Sequence, residues 1–124
     1  MSQGRPQKKI VLLDDSELIR ELVRETLEER GYQVVDVSTP FGFSNLLRRE
    51  NPDLALLDVT MPTLRGDKLA EIAIQHGISC PIVLFSDRPA EELAAMAKAV
   101  KAAGYIRKTG DMDEVVRAVE RFLK

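Results

Sequence analysis

The chain alternates short apolar runs with longer amphipathic segments from one end to the other. This pattern is typical of an α/β fold built from βα units around a parallel sheet, because each helix carries the chain back to the start of the next strand. Most of the runs are continuously apolar, which indicates strands that are covered by helices on both faces. The predicted strands are Lys9–Leu13, Gln33–Val37, Leu54–Leu57, Pro81–Phe85 and Gly104–Ile106.

The first two helices of this pattern have contrasting start and stop signals. Apolar residues at helical spacing define one face of the first helix, and Gly31 is its stop signal. The second helix is predicted to open at Ser38–Pro40, which places Gly42 in its first turn, where glycine costs roughly 1 kcal/mol relative to alanine. Two aromatic residues, Phe41 and Phe43, flank that glycine, and helical spacing makes it hard to bury both. We expect one of them to be exposed as a docking contact and Phe43 to lie in the core.

The later helices are marked by their ends and their composition. His76 precedes Gly77 at the predicted end of the third helix, where a cap is a better interpretation than a catalytic role. The fourth helix is unusually rich in alanine. Asp111 and Glu114 open the fifth helix with a variant of the capping box.

The length and composition indicate one globular domain. A chain of 124 residues is large enough for one core and too small for two. We expect residues 1–8 to form a short N-terminal tail and residues 9–124 to form a single domain. The net charge of -2 is close to balance, and the lysines and arginines are scattered through the chain, so direct binding of nucleic acid is not expected.

Two further classes of protein are disfavoured by short sequence features. The apolar run Ile10–Leu13 is too short for a signal peptide or a membrane span, so we expect a cytoplasmic protein with no membrane insertion. Cys80 is the single cysteine, which leaves no partner for a disulfide and no cluster for a soft metal. We interpret it as a small core residue.

Polar side chains stand directly after four of the predicted strands. Asp14 and Asp15 follow the first strand, Asp58 the third, Ser86 the fourth, and Lys108 comes just after the fifth. All strands of a parallel sheet end at the same edge, and ligands of open α/β sheets bind outside those carboxyl ends. The sequence therefore predicts one site that contains three acids, a hydroxyl group and an amine.

Each of these residues also has a purely structural explanation. Either acid after the first strand, or the neighbouring Ser16, could cap the first helix, and Ser86 or Asp87 could cap the fourth. Asp58 could stabilise the turn after its strand by accepting nearby backbone N–H groups, and Lys108 could be a solvated surface charge. One such explanation is reasonable by itself, but all of them together, for residues that share an edge, are a poor account of the pattern.

Electrostatics indicates what a site of this kind would hold. Two carboxylates about 4 Å apart repel by roughly 4 kcal/mol at an effective dielectric near 20, and three acids make three such pairs. Lys108 alone does not offset this repulsion, so the acids must take up protons or bind a divalent cation. Carboxylate oxygens without thiol or imidazole ligands favour Mg²⁺. An ion, an amine and a hydroxyl group together suit phosphoryl transfer to a carboxylate nucleophile.

At this point four sequence motifs, in order and at the right spacing, closely resemble the receiver domain of two-component response regulators, in particular its single-domain chemotaxis type. The motifs are LLDDS, LLDVTMPTLRG, LFSD and GYIRKTG, and the resemblance covers nearly the whole chain. It implies a flavodoxin-like (βα)5 doubly wound sandwich with a five-stranded parallel sheet in the order 2-1-3-4-5.

The resemblance also implies the phosphoacceptor and the metal ligands. Asp58 would accept a phosphoryl group from the phosphohistidine of a sensor histidine kinase or a histidine phosphotransfer protein. Asp15 and Asp58 would ligate Mg²⁺ directly, Asp14 would act mainly through water, and Thr60 would contribute its backbone carbonyl.

The remaining implied roles concern the response to phosphorylation. Lys108 would pair with the phosphoryl oxygens and Ser86 would hydrogen-bond one of them. Tyr105 matches the switch aromatic of the family, which turns inward when the hydroxyl residue moves toward the phosphoryl group. The added charge and acceptor oxygens could thereby bias a surface that has two states.

The sequence departs from the family pattern after the lysine. Thr109 stands where proline, often in a cis peptide, is usual, and a cis bond to a residue other than proline costs about 2.5 to 4 kcal/mol, so we expect a trans bond. Ser86 stands where threonine is also common, a difference expected to change switching little. Thr60 and Arg88 flank the acceptor and could set the lifetime of the phosphoryl group, which timing its loss after substitution of Arg88 would test.

Three functions are compatible with these motifs. The leading one is a phosphorylation-activated receiver that signals in trans to a downstream protein target. The second is a receiver-like scaffold that binds constitutively without phosphorylation, although the complete set of acids, hydroxyl and lysine counts against it. The third is a phosphate-ester hydrolase. The sequence counts against it, because it offers no dedicated general acid and no cap insertion to hold a substrate.

Overall fold

The computed structural model describes residues 7–123, in which five strands alternate with five helices. The predicted tail, residues 1–8, falls largely outside the described residues, and Gln7 and Lys8 lie before the first strand without regular structure. The elements in chain order are β1 (Lys9–Leu13), α1 (Glu17–Glu29), β2 (Gln33–Val37), α2 (Phe43–Glu50), β3 (Leu54–Asp58), α3 (Gly66–Gln75), β4 (Ile82–Ser86), α4 (Ala90–Val100), β5 (Gly104–Arg107) and α5 (Met112–Phe122).

The five strands form one parallel sheet in the order β2-β1-β3-β4-β5. This is the flavodoxin-like, doubly wound order that the resemblance implied, and it is confirmed. From β1 the chain moves outward to β2 and then returns past β1 to β3, so the winding reverses between β1 and β3. Ligands of such sheets bind at the carboxyl ends of the strands where the order reverses.

Alternate residues of each central strand supply two separate apolar layers. In β3, Leu54 and Leu56 join the layer beneath α1 and α5, whereas Ala55 and Leu57 join the layer beneath α2, α3 and α4. Every residue of β3 is therefore buried, which is why this strand shows no apolar and polar alternation. The edge strand β2 is less covered, and only Val34 in it is buried.

Three strands end one residue later than the sequence predicted. The sheet pairing continues through Asp58, which lies opposite Phe85, and through Ser86, which lies opposite Arg107. Asp58 and Ser86 are thus the last residues of β3 and β4 and not the first residues of loops. The sheet itself fixes the backbone from which both side chains project.

The predicted start of the second helix is wrong. Pro40 and Phe43 are joined by a hydrogen bond from the Phe43 N–H to the Pro40 carbonyl (3.2 Å), which closes a turn in front of the helix. Gly42 is the N-cap residue, with φ of 69°, and lies outside the first turn. Glycine adopts this left-handed conformation readily, so the penalty expected for a glycine inside a helix does not arise. Phe43 is buried, as predicted, and Phe41 is the exposed member of the pair, at 80%.

The helix ends follow the predicted signals in part. Ser16 caps α1, and its hydroxyl accepts the Ile19 N–H (3.3 Å). Asp111 caps α5 by accepting the Glu114 N–H (3.2 Å), but the Asp111 N–H itself is bound by Thr109 Oγ1, so the box is not reciprocal.

Two other residues near helix ends have structural roles. His76 is the C-cap residue of α3, as predicted, and its ring Nδ1 lies 3.2 Å from Ser44 Oγ. The N-cap residue of α4 is Pro89, so neither Ser86 nor Asp87 caps that helix. Cys80 is partly buried against the core, and its burial raises the pKa of the thiol.

Candidate functional site

Three carboxylates converge where the winding of the sheet reverses. Asp14 follows β1 and Asp58 ends β3, and these neighbouring strands are aligned so that Leu13 lies opposite Leu57. One oxygen from each of Asp14, Asp15 and Asp58 lies within 4.8 Å of the other two. Asp14 is fully buried and Asp58 is 2% exposed, whereas Asp15 faces solvent. The cluster is therefore open to ions on one side only.

Lys108 is the cation of this cluster. Its Nζ lies 2.8 Å from Asp14 Oδ2 and donates a hydrogen bond to Asp58 Oδ1 at 3.1 Å. The ammonium also lies 5.2 Å from the ring centroid of Phe85, within the range of a cation–π contact. A single positive charge thus bridges two buried carboxylates.

Burial and the charges of the cluster together change the pKa values of Asp58 and Lys108. Burial is the main cause that raises the pKa of Asp58 from 3.8 to about 6. The charge and hydrogen bond of Lys108 lower this pKa, while Asp14 and Asp15 raise it. Burial alone would lower the pKa of Lys108, but its hydrogen bonds and charge interactions with Asp14 and Asp58 outweigh burial and raise it. Lys108 therefore remains charged, but its charge does not keep the pKa of Asp58 at the ordinary value of a carboxyl group.

Asp14 is held by three hydrogen bonds and one ion pair. Its Oδ1 accepts the Ser16 N–H (2.9 Å) and its own N–H donates to the Val37 carbonyl (3.2 Å). Its carbonyl accepts a hydrogen bond from Arg20 Nη1 at 2.8 Å. Its Oδ2 is buried 2.8 Å from the Lys108 ammonium but accepts no hydrogen bond from the described residues.

Two partly buried ion pairs that share Asp36 were not predicted from the sequence. Arg20 Nε donates to Asp36 Oδ2 (3.2 Å), and Arg24 Nη1 donates to Asp36 Oδ1 (3.0 Å). Asp36 is the only acid in the run Gln33–Val37, and an acid inside an otherwise apolar strand is the signal that could have pointed to these partners. These two ion pairs connect α1 to β2.

Asp58 is positioned by the loop that follows it. Asp58 Oδ1 accepts the Thr60 N–H (3.1 Å) in addition to the bond from Lys108. Gly66, at the start of α3, donates its N–H to the Val59 carbonyl (2.9 Å) and packs so closely that a Cβ there would overlap the Asp58 carbonyl oxygen. The position of Thr60 suits a role next to the acceptor, and the role of its carbonyl as a metal ligand remains a prediction.

Ser86 ends β4, the strand next to that of Asp58, and Tyr105 lies on the neighbouring edge strand β5. Ser86 is 2% exposed, and its Oγ accepts the Arg88 N–H (3.1 Å). Tyr105, on β5, is half-buried against the apolar layer beneath α4. The inward turn of Tyr105 and the contact of Ser86 with a phosphoryl group remain predictions.

The departure at Thr109 does not misdirect the lysine. Residues 7–123 contain no cis peptide bond, so the bond after Lys108 is trans, as predicted. The Thr109 hydroxyl accepts the Asp111 N–H and donates to the Asp111 carbonyl, both at 3.2 Å. These bonds order the loop before α5 while Lys108 still reaches Asp14 and Asp58.

The donor set of the cluster fits Mg²⁺. It offers carboxylate oxygens and, within the described part of the chain, no thiol or imidazole in the same group. Hard divalent ions prefer such oxygen ligands and retain several waters, for which the exposed side of Asp15 leaves room. The three carboxylates outnumber the single ammonium of Lys108, and a divalent ion would supply the missing positive charge.

The family model of the response regulator receiver domain matches residues 10–120. The chain belongs to this family. Receiver domains are signalling domains of two-component systems, in which phosphorylation and Mg²⁺ binding at an acidic pocket are general properties.

Two curated relatives illustrate how this receiver domain compares with other proteins. It is 34% identical over 112 residues to the transcriptional regulatory protein YxdJ of Bacillus subtilis, with 90% of this chain and 48% of that protein covered. It is 30% identical over 118 residues to the chemotaxis protein CheY of Halobacterium salinarum, with coverage of 94% and 97%. The chain thus spans about half the length of YxdJ and of several other regulators that it matches.

Solved structures agree on the fold of this receiver domain. The chemotaxis response regulator CheY4 of Vibrio cholerae superposes with a TM-score of 0.86 at 24% identity, over 95% of this chain and 100% of that one. A two-component response regulator of the LuxR family from Aurantimonas superposes with a TM-score of 0.84 at 30% identity, over 95% and 86%. Among residues 7–123, no helix combines the length and the apolar character needed to cross a bilayer.

Proposed function

We propose that this receiver domain, residues 9–124, accepts a phosphoryl group on Asp58 from the phosphohistidine of a sensor histidine kinase or a histidine phosphotransfer protein. It then signals in trans to a partner protein through a change of conformation. The observation that carries the proposal is the Lys108 ammonium between Asp14 and Asp58 in a cluster of three carboxylates. This arrangement combines a nucleophile, a fixed cation and ligands for a hard ion.

The transfer itself makes one bond and breaks one. A carboxylate oxygen of Asp58 attacks the phosphorus atom, the P–N bond to the donor imidazole breaks, and the electron pair of that bond remains on the imidazole nitrogen. Asp58 must be ionised to attack, and a pKa of about 6 leaves it mainly ionised at pH 7 and above. Lys108 would pair with a phosphoryl oxygen while it stays beside Asp14.

The residues differ in how they would hold Mg²⁺. Asp15 is exposed and Asp58 borders it, so both suit direct ligation together with the Thr60 carbonyl. Asp14 already accepts the Ser16 N–H on one oxygen and faces Lys108 with the other, which supports a role through water. When bound, the ion would neutralise charge on the carboxylates and on the phosphoryl oxygens.

An exposed apolar pair on α1 supports docking of a protein donor. Leu18 is 64% exposed and Leu22 is 38% exposed, and the two lie one helical turn apart. They belong to the helix that begins directly after Asp14 and Asp15. A partner that covered this pair would therefore lie next to the acidic cluster.

The direct test is incubation with acetyl phosphate and Mg²⁺, followed by mass measurement of the intact protein. The proposal predicts the addition of one phosphoryl group, lost in Asp58→Asn and after removal of Mg²⁺ by EDTA. Asp53→Asn is the matched control, because Asp53 precedes the same strand at its opposite end. It should be modified like the wild type.

The alternatives give different outcomes in that experiment. Absence of modification in the wild type would favour a scaffold that binds constitutively, and repeated turnover of a phosphate ester, supplied in place of acetyl phosphate, would favour a hydrolase. Modification that persists in Asp58→Asn would place the acceptor elsewhere.

A further inference from the structure

The loop between β4 and α4 is attached to β5 by three successive carbonyl groups. The Ser86 carbonyl accepts the Lys108 N–H (2.8 Å), which extends the sheet pairing. The next two carbonyls are both bound by the side chain of Arg107. Arg107 Nη2 donates to the Asp87 carbonyl (3.3 Å), and Arg107 Nε donates to the Arg88 carbonyl (3.0 Å).

We propose that Arg107 is a positioning residue that latches this loop in the resting conformation and must release it when Ser86 engages a phosphoryl group. The inference rests on the proposed function, since it takes Ser86 as the hydroxyl residue that responds to phosphorylation. Arg107 itself does not contact the acceptor. It acts through the backbone of Asp87 and Arg88.

The contacts of Arg88 couple Ser86 to the latch. The Arg88 N–H is bound by Ser86 Oγ (3.1 Å), and the Arg88 carbonyl is bound by Arg107. A rotation of the Ser86 hydroxyl toward Asp58 removes the first of these bonds and frees the loop backbone at Arg88. The two bonds from Arg107 and the sheet bond of Lys108 then still hold the loop against β5.

The loop is also coupled to the first turn of α4. Arg88 Nη1 donates to Glu92 Oε1 at 2.6 Å, so the loop side chain and the helix are connected. Movement of the loop would therefore be transmitted to α4, and the surface that α4 shares with Tyr105 would change with it. The latch thus opposes the change that a partner would detect.

An exposed arginine suits a latch of moderate strength. Arg107 lies at the surface, where water competes for its hydrogen bonds and keeps their net contribution small. Interactions formed in one of two states stabilise that state alone, and these are formed in the state without a phosphoryl group. Removal of the latch should therefore raise the population of the alternative loop conformation and, with it, the apparent affinity for a phosphoryl mimic.

The experiment measures the binding of beryllofluoride, a phosphoryl mimic, in the presence of Mg²⁺. Arg107→Ala should lower Kd by roughly three- to tenfold, equivalent to about 0.7 to 1.4 kcal/mol. Arg107→Lys should fall between Ala and wild type, because an ammonium keeps the charge but not the two-pronged geometry. Loss of a positive charge alone would weaken anion binding, so an unchanged or raised Kd in Arg107→Ala overturns the inference.

A second measurement is independent of the proposed function. Amide hydrogen exchange of the apo protein should be about three- to tenfold faster at Arg88 and its neighbours in Arg107→Ala, because the loop opens more often. Arg49→Ala removes another exposed arginine, from α2, and should match the wild type in both measurements. Unchanged exchange at Arg88 overturns the latch even if beryllofluoride binds. A wild type that does not bind beryllofluoride, with faster exchange in Arg107→Ala, contradicts the proposed function and leaves the latch supported.

Discussion

At the scale of single residues, the site is built around a carboxyl group that the fold makes less acidic. Burial raises the pKa of Asp58 to about 6, although Lys108 lies within hydrogen-bonding distance. Ionisation of Asp58 inside the acidic cluster therefore lowers the stability of the folded protein. A proton and a divalent ion are alternative ways to relieve that cost.

The raised pKa of Asp58 predicts a specific dependence of stability on pH. Between pH 4 and pH 6 the folded state holds a proton on Asp58 that the unfolded state has lost, so the free energy of unfolding falls as pH rises through this window. The change due to Asp58 is at most about 3 kcal/mol. Asp58→Asn removes this term, so its stability relative to wild type should be greater at pH 8 than at pH 4. Urea unfolding of both proteins without Mg²⁺ at each pH measures the difference.

The control for this comparison is Asp53→Asn, which changes an acid outside the cluster. It should not show the gain in relative stability at pH 8 that is expected for Asp58→Asn, because Asp53 is not part of the three-carboxylate cluster. A constant difference between Asp58→Asn and wild type across the window would show that the carboxyl of Asp58 titrates at its ordinary pKa.

At the scale of elements, the sequence predicted the number and the chain order of strands and helices, but it misplaced the ends of three strands and the start of one helix. Strands β3, β4 and β5 continue one residue further because Asp58, Ser86 and Arg107 still take part in the sheet pairing, and pairing depends on neighbours that are distant in the chain. The early start predicted for α2 has a local cause. Ser38–Pro40 also suits a turn, and the left-handed conformation of Gly42 selects the turn over the helix.

The start of α3 is an element on which the acceptor depends. Gly66→Ala would place a Cβ against the Asp58 carbonyl oxygen, so α3 and the loop after β3 must move apart. We expect a loss of about 1 to 3 kcal/mol in the free energy of unfolding, as for other overpacked sites. Modification by acetyl phosphate should slow as well, because the same loop donates the Thr60 N–H to Asp58. Urea unfolding and the rate of phosphorylation are the two measurements.

Gly110→Ala is the matched control for that substitution. Gly110 lies in the loop before α5, where a Cβ would meet no atom within 4 Å. Its stability and its phosphorylation rate should remain close to those of the wild type. Equal behaviour of the two alanine variants would mean that the contact between α3 and β3 does not constrain the acceptor.

At the scale of the whole molecule, the order of the sheet explains why residues far apart in the chain share one site. Parallel pairing brings Asp14, Asp58 and Lys108 to one edge, and the sequence predicted this edge from the ends of the strands alone. The strand order itself came from the family resemblance, because periodicity does not determine which strands are neighbours. The contacts of Arg20 and Arg107 depend on register and on side-chain direction, so they became visible only in the structure.

The same architecture predicts that Mg²⁺ stabilises the whole fold. An ion that binds the folded state alone adds RT ln(1 + [Mg²⁺]/Kd), or about 1.4 kcal/mol for each tenfold rise in concentration above Kd. For a domain of this size that corresponds to a rise in Tm of about 5 °C per tenfold. Thermal unfolding at pH 8, with ionic strength held constant by NaCl, measures this slope.

Asp15→Asn is the decisive variant for the effect of Mg²⁺. Asp15 is exposed, so the substitution should leave the core intact while it removes a charged ligand from the cluster. Its Tm without Mg²⁺ should stay close to or slightly above that of the wild type, because one source of repulsion is gone. Its rise in Tm should begin only at higher Mg²⁺ concentrations than in the wild type. If both proteins respond to Mg²⁺ at the same concentrations, the ion acts elsewhere on the surface and the acidic cluster is not its site.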